Sequence, residues 1–466
     1  MTVSAAELAS RPGPRYQALA DCLAGAIEDA RLKPGERLPA QRDLAYDLDV
    51  TVGTVGRAYA VLLKRGLVKG EVGRGTFVLD PDRGTTIPEP QHLSIWGAPR
   101  PAHDLAVNRP VPVPAQAEVF RILGEIAAQG STLVGLLTYP PYAGLEPHRT
   151  ALASWLRTFA GPVEGDCVLP AQGTQNGMAM ALAAVTRPGD TILMEALTYA
   201  SNHGLAGRLG LEIQPIAMDE EGATPESLDA LARQHRPTAV VLSPDLQNPT
   251  LATASLERRE ALIATIRRHS IVLIEDAVYT PVAATGLPSL RALAPDDTLL
   301  VTSISKFLAP GLRLGCVAAP AARMPQLVAA QAHLAVGVSP LIVETVARLI
   351  AAGVLEEALA QQRAALHSRR QVALEVLAGL GITSRINALH VLLELPAGAD
   401  TATTLLHLAN AAIQTTPLDV FAVGRTTTPP TLRLSLGAIK DEAGLAACLR
   451  MVRQIVHGTH TAQPVI

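Results

Sequence analysis

The sequence lacks a strong charge of either sign. Its 39 Lys and Arg residues nearly balance 42 Asp and Glu residues, and the formal net charge is −3. That balance excludes a wholly basic nucleic-acid coat protein and an acidic tail protein. Charged residues make up 17% of the chain and hydrophobic residues 48%, so the 466 residues can bury a large core in two or more domains.

Long apolar runs are also missing. The run 271–274 ends at once in Glu275 and Asp276, and no stretch of about 18 apolar residues exists that could cross a membrane. Residues 1–15 show no basic region followed by an apolar stretch, so no secretory signal is expected. The four cysteines form no C-x-x-C pair, which disfavours a disulfide framework or a zinc site and predicts a cytoplasmic location: Cys22, Cys167, Cys316 and Cys448.

The composition changes along the chain and predicts a fold class with two domains. Residues 1–79 carry most of the visible basic clusters, and residues 80–103 contain five prolines with little apolar periodicity, which predicts a linker. Residues 104–457 alternate strand-like and helix-like runs, which predicts an α/β domain with a mostly parallel sheet. Residues 458–466 form a short tail.

The pattern of residues 16–78 predicts a winged helix-turn-helix. Three helices are expected at 16–30, 40–48 and 52–65, followed by a hairpin of strands 68–70 and 76–78 around Gly73-Arg74-Gly75. In such a unit the second helix of the helix-turn-helix pair enters the major groove of DNA, and its first residues meet base edges. The predicted contacts are Thr51, Thr54 and Arg57 in that helix, with Arg74 and Gly75 in the wing.

The charge of this region is a weak argument for DNA binding by itself. Between Arg15 and Arg74, ten basic residues face eight acidic ones, a difference of only +2. An arginine such as Arg42 could simply pair with Asp43 or Asp47 on the surface. The arrangement favours DNA binding, because the basic residues after Arg42 gather in the third helix and the wing.

Three motifs in the same region resemble the GntR-type DNA-binding domain. They are residues 35–45 (GERLPAQRDLA), the pairs 54–55 and 58–59, and residues 73–78 (GRGTFV). The resemblance implies that Arg42 contacts DNA and that the recognition helix begins near Thr51. Val52 and Gly56 stand where the family often has arginines.

Polar residues repeatedly follow the apolar runs of the large domain. Glu195 and Tyr199 follow the run 191–194, and Ser243 and Asn248 follow 239–242. Asp276 and Tyr279 follow the run 271–274 in the same way, and Ser303, Ser305 and Lys306 follow 299–301. Ligands of open α/β sheets bind at the carboxyl ends of the strands, so these side chains are expected to share one site.

The residue types at these positions favour pyridoxal 5′-phosphate as the cofactor. Lys306 can bind an aldehyde as a Schiff base, and Asp276 can keep a pyridine nitrogen protonated. Tyr279 and Asn248 can hold the ring oxygen of the cofactor. The expected phosphate ligands are hydroxyls, a guanidinium and the start of an Ala-rich helix: Ser303, Ser305, Arg313, Gly173, Thr174 and Gln175.

Residues 104–457 resemble a fold-type I aminotransferase of the aspartate aminotransferase class, with a mostly parallel sheet and a smaller α+β subdomain. The resemblance rests on 303–315 (SISKFLAPGLRLG), on Asp276-x-x-Tyr279 and on 247–250 (QNPT). It implies the cofactor and phosphate roles above, with Lys306 as the catalytic lysine. Tyr199 would stack on the cofactor ring, and Tyr139 would reach the neighbouring subunit's phosphate.

The same resemblance assigns two further residues and shows one departure. Arg433, in Leu432-Arg433-Leu434-Ser435, would bind the α-carboxylate of an amino acid. His390 occupies a position that the family often fills with His, and a structural role is expected for it. Leu251 stands where the family usually has Gly after Asn-Pro-Thr.

A GntR-type head joined to an aminotransferase-like domain resembles the MocR-type transcription regulators. The resemblance implies a homodimer that binds a double-stranded DNA operator, pyridoxal 5′-phosphate and an amino-acid-like effector. Two alternatives stay open from the residues alone. One is an active aminotransferase with an accessory DNA-binding domain, and the other is a DNA-binding dimer with a purely structural large domain.

Overall fold

The computed structural model of the chain describes residues 7, 14–29, 31–33, 35–64, 67–71, 75–78 and 102–461. The chain divides into two compact units, residues 1–89 and 90–466. Gly73 and Arg74 of the predicted wing and residues 80–101 of the predicted linker lie outside the described residues. The limits 1–79, 80–103 and 104–457 remain predictions.

The N-terminal unit contains the expected three helices and hairpin. The helices are α1 (Arg15–Glu28), α2 (Gln41–Asp47) and α3 (Val52–Lys64), and the strands are β1 (Val68–Glu71) and β2 (Gly75–Val78). The strands pair antiparallel, with Val68 opposite Val78 and Glu71 opposite Gly75. The winged helix-turn-helix predicted from the sequence is therefore confirmed.

The predicted apolar faces form the core of this unit. Leu19 and Leu23 of α1 pack with Val55 and Leu62 of α3, and all four are buried. The hydroxyl of the buried Tyr59 donates a hydrogen bond to Pro39 O at 2.7 Å, which ties α3 to the segment before α2. The buried face of α3 leaves its opposite face exposed to solvent.

A seven-stranded sheet forms the centre of the large unit. In spatial order it runs β4-β12-β11-β10-β9-β5-β6, and only β12 is antiparallel to its neighbours. The strands are β4 (Val168–Ala171), β5 (Thr191–Glu195), β6 (Glu212–Ile216), β9 (Ala239–Leu242), β10 (Val272–Asp276), β11 (Thr298–Ser303) and β12 (Gly315–Ala318). Every position of β4, β9, β11 and β12 is buried, as expected for strands covered on both faces.

Helices cover this sheet and separate its strands along the chain. They are α4 (Ala117–Gln129), α5 (Glu146–Leu156), α6 (Thr174–Val185), α7 (Ala200–Arg208), α8 (Pro225–His235), α9 (Leu256–Arg268), α10 (Thr280–Ala283), α11 (Leu290–Leu293), α12 (Met324–Leu334) and α13 (Pro340–Ala351). Parallel strands need such crossovers, and this produces the alternating pattern in the sequence. A small antiparallel pair, β7 (Met218–Asp219) and β8 (Gly222–Ala223), precedes α8.

A second, antiparallel sheet builds the smaller subdomain. Its order is β13-β14-β17-β16, from β13 (Gly381–Thr383), β14 (His390–Glu394), β16 (Thr416–Pro417) and β17 (Thr431–Ser435). Three helices accompany it: α14 (Val354–Val376), α15 (Thr401–Asn410) and α16 (Glu442–Thr461). A separate two-stranded parallel sheet lies in this part of the fold, because β3 (His103–Asp104) pairs with β15 (Ile413–Gln414). The α/β class with an α+β subdomain is thus confirmed.

Candidate functional site

A cavity of about 590 Å³ opens at the carboxyl ends of β5, β9, β10 and β11. Ten of the twelve residues predicted to bind the cofactor line it: Thr174, Gln175, Tyr199, Asn248, Asp276, Tyr279, Ser303, Ser305, Lys306 and Arg313. The other two, Gly173 and Tyr139, are not among its lining residues. The sheet edge therefore gathers side chains that are up to 139 positions apart in the sequence, from Thr174 to Arg313.

One end of the cavity gathers hydroxyls, a guanidinium and a helix N-terminus. Gly173 precedes α6 with φ +80°, and a Cβ there would lie 2.7 Å from Arg313 Nη2, so a side chain would displace the guanidinium. The hydroxyl of Thr174 donates to Ser303 Oγ at 2.9 Å, and the backbone N–H of Ser305 donates to the same oxygen at 3.3 Å. Hydroxyls, Arg313 and free N–H groups of a helix start are the donors that a phosphate accepts.

The amine of Lys306 is held inside the cavity. Its Nζ donates to Asn108 O at 3.0 Å and lies 5.7 Å from the centre of the Tyr279 ring. Burial lowers the pKa of Lys306, because the charged ammonium loses hydration, and the positive charge of Arg433 lowers it further. A lysine with a lowered pKa has more of the neutral amine that reacts with an aldehyde.

The carboxylate of Asp276 lies buried at the end of β10. Its Oδ2 accepts from Asn202 Nδ2 at 3.2 Å, and its Oδ1 accepts from the backbone N–H of Val278 at 3.3 Å. Burial raises the pKa of Asp276, while these two hydrogen bonds and the charge of Lys306 oppose that rise. A protonated ring nitrogen beside it would supply the further positive charge that favours the ionised carboxylate.

Asn108, His390 and Tyr279 form a buried chain of hydrogen bonds beside Lys306. Asn108 Nδ2 lies 3.1 Å from the Tyr279 hydroxyl and 2.9 Å from His390 Nδ1. His390 Nε2 lies 2.9 Å from Pro249 O. Burial lowers the pKa of His390 to about 3 and raises the pKa of Tyr279, so both side chains are neutral near pH 7.

Arg433 lies behind the cavity and is not one of its lining residues. Its Nη1 donates to Asn248 Oδ1 at 2.7 Å, its Nη2 donates to Ala106 O, and its guanidinium lies 4.8 Å from the centre of the Phe421 ring. Burial lowers the pKa of Arg433. Arg433 Nε and Asn108 Oδ1 are buried polar atoms with no hydrogen-bond partner among the residues that the structure describes.

The segment 104–109, near the start of the described part of the large unit, contacts several site residues through its main chain. Its main-chain carbonyls at positions 106, 107 and 108 accept hydrogen bonds from Arg433, Ser435 and Lys306 respectively. An ion pair joins the two ends of the segment, because Asp104 Oδ2 lies 3.3 Å from Arg109 Nη2. Site residues from β17 and from the turn after β11 thus converge on one short stretch of backbone.

Tyr139 lies away from the cavity on an exposed apolar surface. Its relative exposure is 90%, and that of the neighbouring Leu137 is 77%. Both line a hollow of about 710 Å³ together with Val336 and Leu341. The predicted role of Tyr139 toward the phosphate of a second subunit is not tested by the single chain.

Backbone hydrogen bonds close the turn after Asn248, in which Leu251 stands in place of the family's usual Gly. The backbone N–H of Leu251 donates to Gln247 O at 2.7 Å, and that of Gln247 donates to Ala252 O at 2.9 Å. Leu251 has φ +66°, in the left-handed region that favours glycine. We estimate the backbone cost at about 1–2 kcal/mol, which the burial of the Leu251 side chain offsets.

The groups in the cavity fit pyridoxal 5′-phosphate. The carboxylate of Asp276 and the amine of Lys306 match the ring nitrogen and the aldehyde of the cofactor. The close approach of Gly173 to Arg313 and the start of α6 match its phosphate. Asn248 and Tyr279 also line the cavity and would hold the ring oxygen.

Two polar residues near the predicted cofactor-binding groups were not predicted from the sequence. Asn202 bonds Asp276 from the first turn of α7, where no sequence signal distinguishes it from any helical residue. Asn108 lines the cavity after the apolar run 105–107. The rule that polar residues follow apolar runs could have found Asn108, although this run ends outside the main sheet.

The predicted DNA contacts lie on the exposed side of the N-terminal unit. Arg42 of α2 and Arg57 of α3 are both exposed. The Thr51 hydroxyl accepts from the backbone N–H of Thr54 at 3.1 Å and lies 2.9 Å from the Thr54 hydroxyl, so it caps α3. Gly75 begins β2, and Arg74 lies outside the described residues.

Comparisons with known proteins agree with both halves of this arrangement. Residues 111–451 match the family aminotransferase class I and II, and residues 15–78 match the bacterial regulatory proteins of the gntR family. The HTH-type transcriptional regulator YdeF of Bacillus subtilis is 29% identical over 95% of this chain and 94% of its own. The HTH-type pyridoxine biosynthesis transcriptional regulator PdxR of Corynebacterium glutamicum is 28% identical over 75% and 76% of the two chains.

A solved structure shows the same fold in the large unit. The α-aminoadipate aminotransferase LysN of Thermus thermophilus superposes with a TM-score of 0.71 at 24% identity, over 77% of this chain and 93% of its own. Within the described residues, no helix is both long and apolar enough to span a membrane. The chain therefore belongs to the aminotransferase class I and II family and carries a gntR-family DNA-binding head, which is the plan of the MocR-type transcriptional regulators.

Proposed function

We propose that this protein binds an operator through its N-terminal unit and that the state of the Lys306 cavity changes the affinity for that operator. The observation that carries the proposal is the gathering of ten predicted cofactor residues around one cavity in a chain with a gntR-family head. The name of the relative PdxR refers to pyridoxine biosynthesis, and this supports a link between vitamin B6 chemistry and gene control. A cytoplasmic location belongs to the same proposal, because the operator is there.

Different residues of the cavity would bind different groups of the cofactor. Lys306 would supply the amine that binds the aldehyde, and Asp276 would hold a proton on the ring nitrogen. The start of α6 with Arg313 would hold the phosphate. Tyr199 lines the cavity at the start of α7 and would stack on the ring. When bound, pyridoxal 5′-phosphate supplies an aldehyde and an electron-withdrawing ring.

An amino-acid-like effector is the second ligand of the proposal. Arg433 already donates to Asn248 and to the carbonyl of Ala106, and its planar fork suits a carboxylate. Its Nε has no partner among the described residues, which leaves one buried donor for a ligand. An effector carboxylate would compete with Ala106 O for the guanidinium.

The segment 104–109 is the proposed route from the cavity to the DNA-binding head. Its carbonyls are held by Lys306 and Arg433, the two residues that the cofactor and the effector would engage. It follows the predicted linker 80–103 directly in the chain. Ligands that bind one arrangement of the segment better than another would shift the equilibrium between them.

A second copy of the chain is the proposed occupant of the exposed apolar surface around Tyr139. Large exposed apolar side chains in one patch mark an interface with another molecule. Tyr139, Leu137 and Val134 are all more than half exposed and lie within six residues of one another. A homodimer would place two heads on one operator with two half-sites.

Binding of the full-length protein to DNA from upstream of its own gene tests the proposal. We expect fluorescence anisotropy at a fixed salt concentration to give an affinity that changes at least about fivefold when pyridoxal 5′-phosphate or an effector is added. Arg42→Ala and Arg57→Ala should each weaken binding, while Arg31→Ala should not, because Arg31 pairs with Glu7 and Asp29. Equal affinity with and without ligands would favour a purely structural large domain.

An active aminotransferase is the second candidate function, favoured by Lys306 and Asp276 in one cavity with Arg433 bonded to the lining residue Asn248. Steady turnover of amino acids with an oxoacid acceptor would support it. The regulator proposal instead expects at most slow single turnover, with the DNA affinity responding to the same amino acid.

A further inference from the structure

Asn108 contacts three groups of the cofactor site from a position that no sequence motif assigns. Its side chain is 6% exposed, and its amide nitrogen lies within hydrogen-bond distance of Tyr279 and His390. Its main-chain carbonyl accepts from Lys306 Nζ. Because it also lines the cavity, Asn108 is the residue of the segment 104–109 that joins this segment to the cofactor groups.

The direction of these hydrogen bonds follows from one carbonyl group. Pro249 O can only accept, so His390 Nε2, 2.9 Å away, carries the hydrogen. The imidazole is neutral, since burial lowers its pKa to about 3, and its Nδ1 is therefore an acceptor. The atom of Asn108 that faces Nδ1 must be the amide nitrogen, and the same nitrogen donates its second hydrogen to Tyr279.

The Tyr279 hydroxyl consequently receives a hydrogen bond and keeps its own hydrogen for another acceptor. We propose that Asn108 is a positioning residue that, oriented by His390, fixes the Tyr279 hydroxyl as a donor toward the ring oxygen of bound pyridoxal 5′-phosphate. The inference rests on the proposed role of Tyr279 at that oxygen. The inference extends that role by naming the residues that decide whether the Tyr279 hydroxyl donates or accepts a hydrogen bond.

The effect is measurable in the titration of the bound cofactor. A hydrogen bond donated to the ring oxygen favours its charged form, so loss of the donor raises the pH at which the cofactor absorbance changes. The charged or titratable groups that face this cluster are shared by all variants: Asp276, Lys306, Arg433 and Tyr199. A change in the midpoint between variants therefore reports on the hydrogen bond.

Asn108→Leu is the sharpest variant, because it nearly keeps the size of the side chain, removes both amide hydrogens and adds no charged or titratable group. In the full-length protein loaded with pyridoxal 5′-phosphate, we expect the midpoint of the absorbance titration to rise by about one pH unit. The cofactor dissociation constant should rise roughly tenfold. Asn108→Ala, which also lacks the donor, should shift the midpoint in the same direction and replaces Asn108→Leu if that variant does not fold.

The Tyr279→Phe background separates this inference from the cofactor assignment. Tyr279→Phe alone should raise the midpoint, and Asn108→Leu should then add no further shift, since it acts through the missing hydroxyl. A wild-type midpoint in Asn108→Leu, or an equal shift in both backgrounds, would overturn the role of Asn108 while the cofactor site stands. An unchanged midpoint in Tyr279→Phe would instead refute the proposed role of Tyr279 itself.

Discussion

The two units present their functional side chains in opposite ways. In the large unit Asp276 and Arg433 are buried and hydrogen-bonded to other site residues. In the N-terminal unit Arg42 and Arg57 are exposed on the surface of the helix pair. A small charged cofactor is held by groups that are already desolvated and oriented, whereas DNA phosphates meet flexible side chains in water. Substitutions of the buried site residues should therefore affect stability and ligand affinity together, whereas substitutions of the exposed Arg42 and Arg57 should affect DNA affinity alone.

The largest expected effect is a loss of stability when the buried ion pair of the large unit is broken. Arg259 Nη2 lies 2.5 Å from Asp245 Oδ1, and both side chains are fully buried. Arg259→Ala leaves the buried carboxylate without its positively charged partner and should lower the free energy of unfolding by about 3–5 kcal/mol. Arg267→Ala on the same helix removes a half-exposed pair with Asp297 and should cost about 0–1 kcal/mol in urea titrations. Similar losses for both variants would contradict the contrast between buried and exposed charges.

The next effect concerns the affinity for the cofactor. Asp276→Asn keeps the size of the side chain but removes the charge that would stabilise a protonated ring nitrogen. We expect pyridoxal 5′-phosphate binding to weaken by about 1.5–3 kcal/mol, roughly ten- to a hundredfold, in an absorbance titration. Asp296→Asn, at an exposed position, is the matched control and should bind like the wild type. Tight binding by Asp276→Asn would refute the assignment of Asp276.

The pH dependence of stability provides a third test. Burial lowers the pKa of His390 to about 3 from an unfolded value of about 6.5. Below pH 6.5 the unfolded chain binds a proton that the folded chain excludes, so this stabilisation is present above pH 6.5 and is lost as the pH falls toward 3. The unfolding free energy of the wild type should fall more steeply over that range than that of His390→Gln. Parallel curves would show that His390 is not held neutral.

The smallest effect is expected in the head. Thr51→Ala removes the hydroxyl that caps α3 and should lower the stability of the N-terminal unit by about 1 kcal/mol in a thermal melt. Thr51→Ser keeps the capping oxygen and should restore the stability. If Thr51 also contacts bases, Thr51→Ala will weaken operator binding at temperatures where the unit is fully folded, and an unchanged affinity would limit Thr51 to capping.

The sequence predicted the elements and the cofactor motifs well because both depend on local patterns. The strands at 239–242 and 299–301 and the site residues Asp276 and Lys306 follow from apolar runs and from the polar residues after them. It did not predict Asn108, which follows an apolar run outside the main sheet, or Asn202, which enters the site only through the tertiary fold. Asn108 lies 198 residues before Lys306, and no local pattern records that contact.

Covalent trapping of the cofactor tests the central claim most directly. Borohydride reduction of the protein with pyridoxal 5′-phosphate, followed by peptide mass mapping, should place the adduct on Lys306. Lys306→Ala should carry none there, and Lys440→Ala, at an exposed lysine, should label like the wild type. No adduct at Lys306, or labelling spread over exposed lysines such as Lys440, would contradict the account.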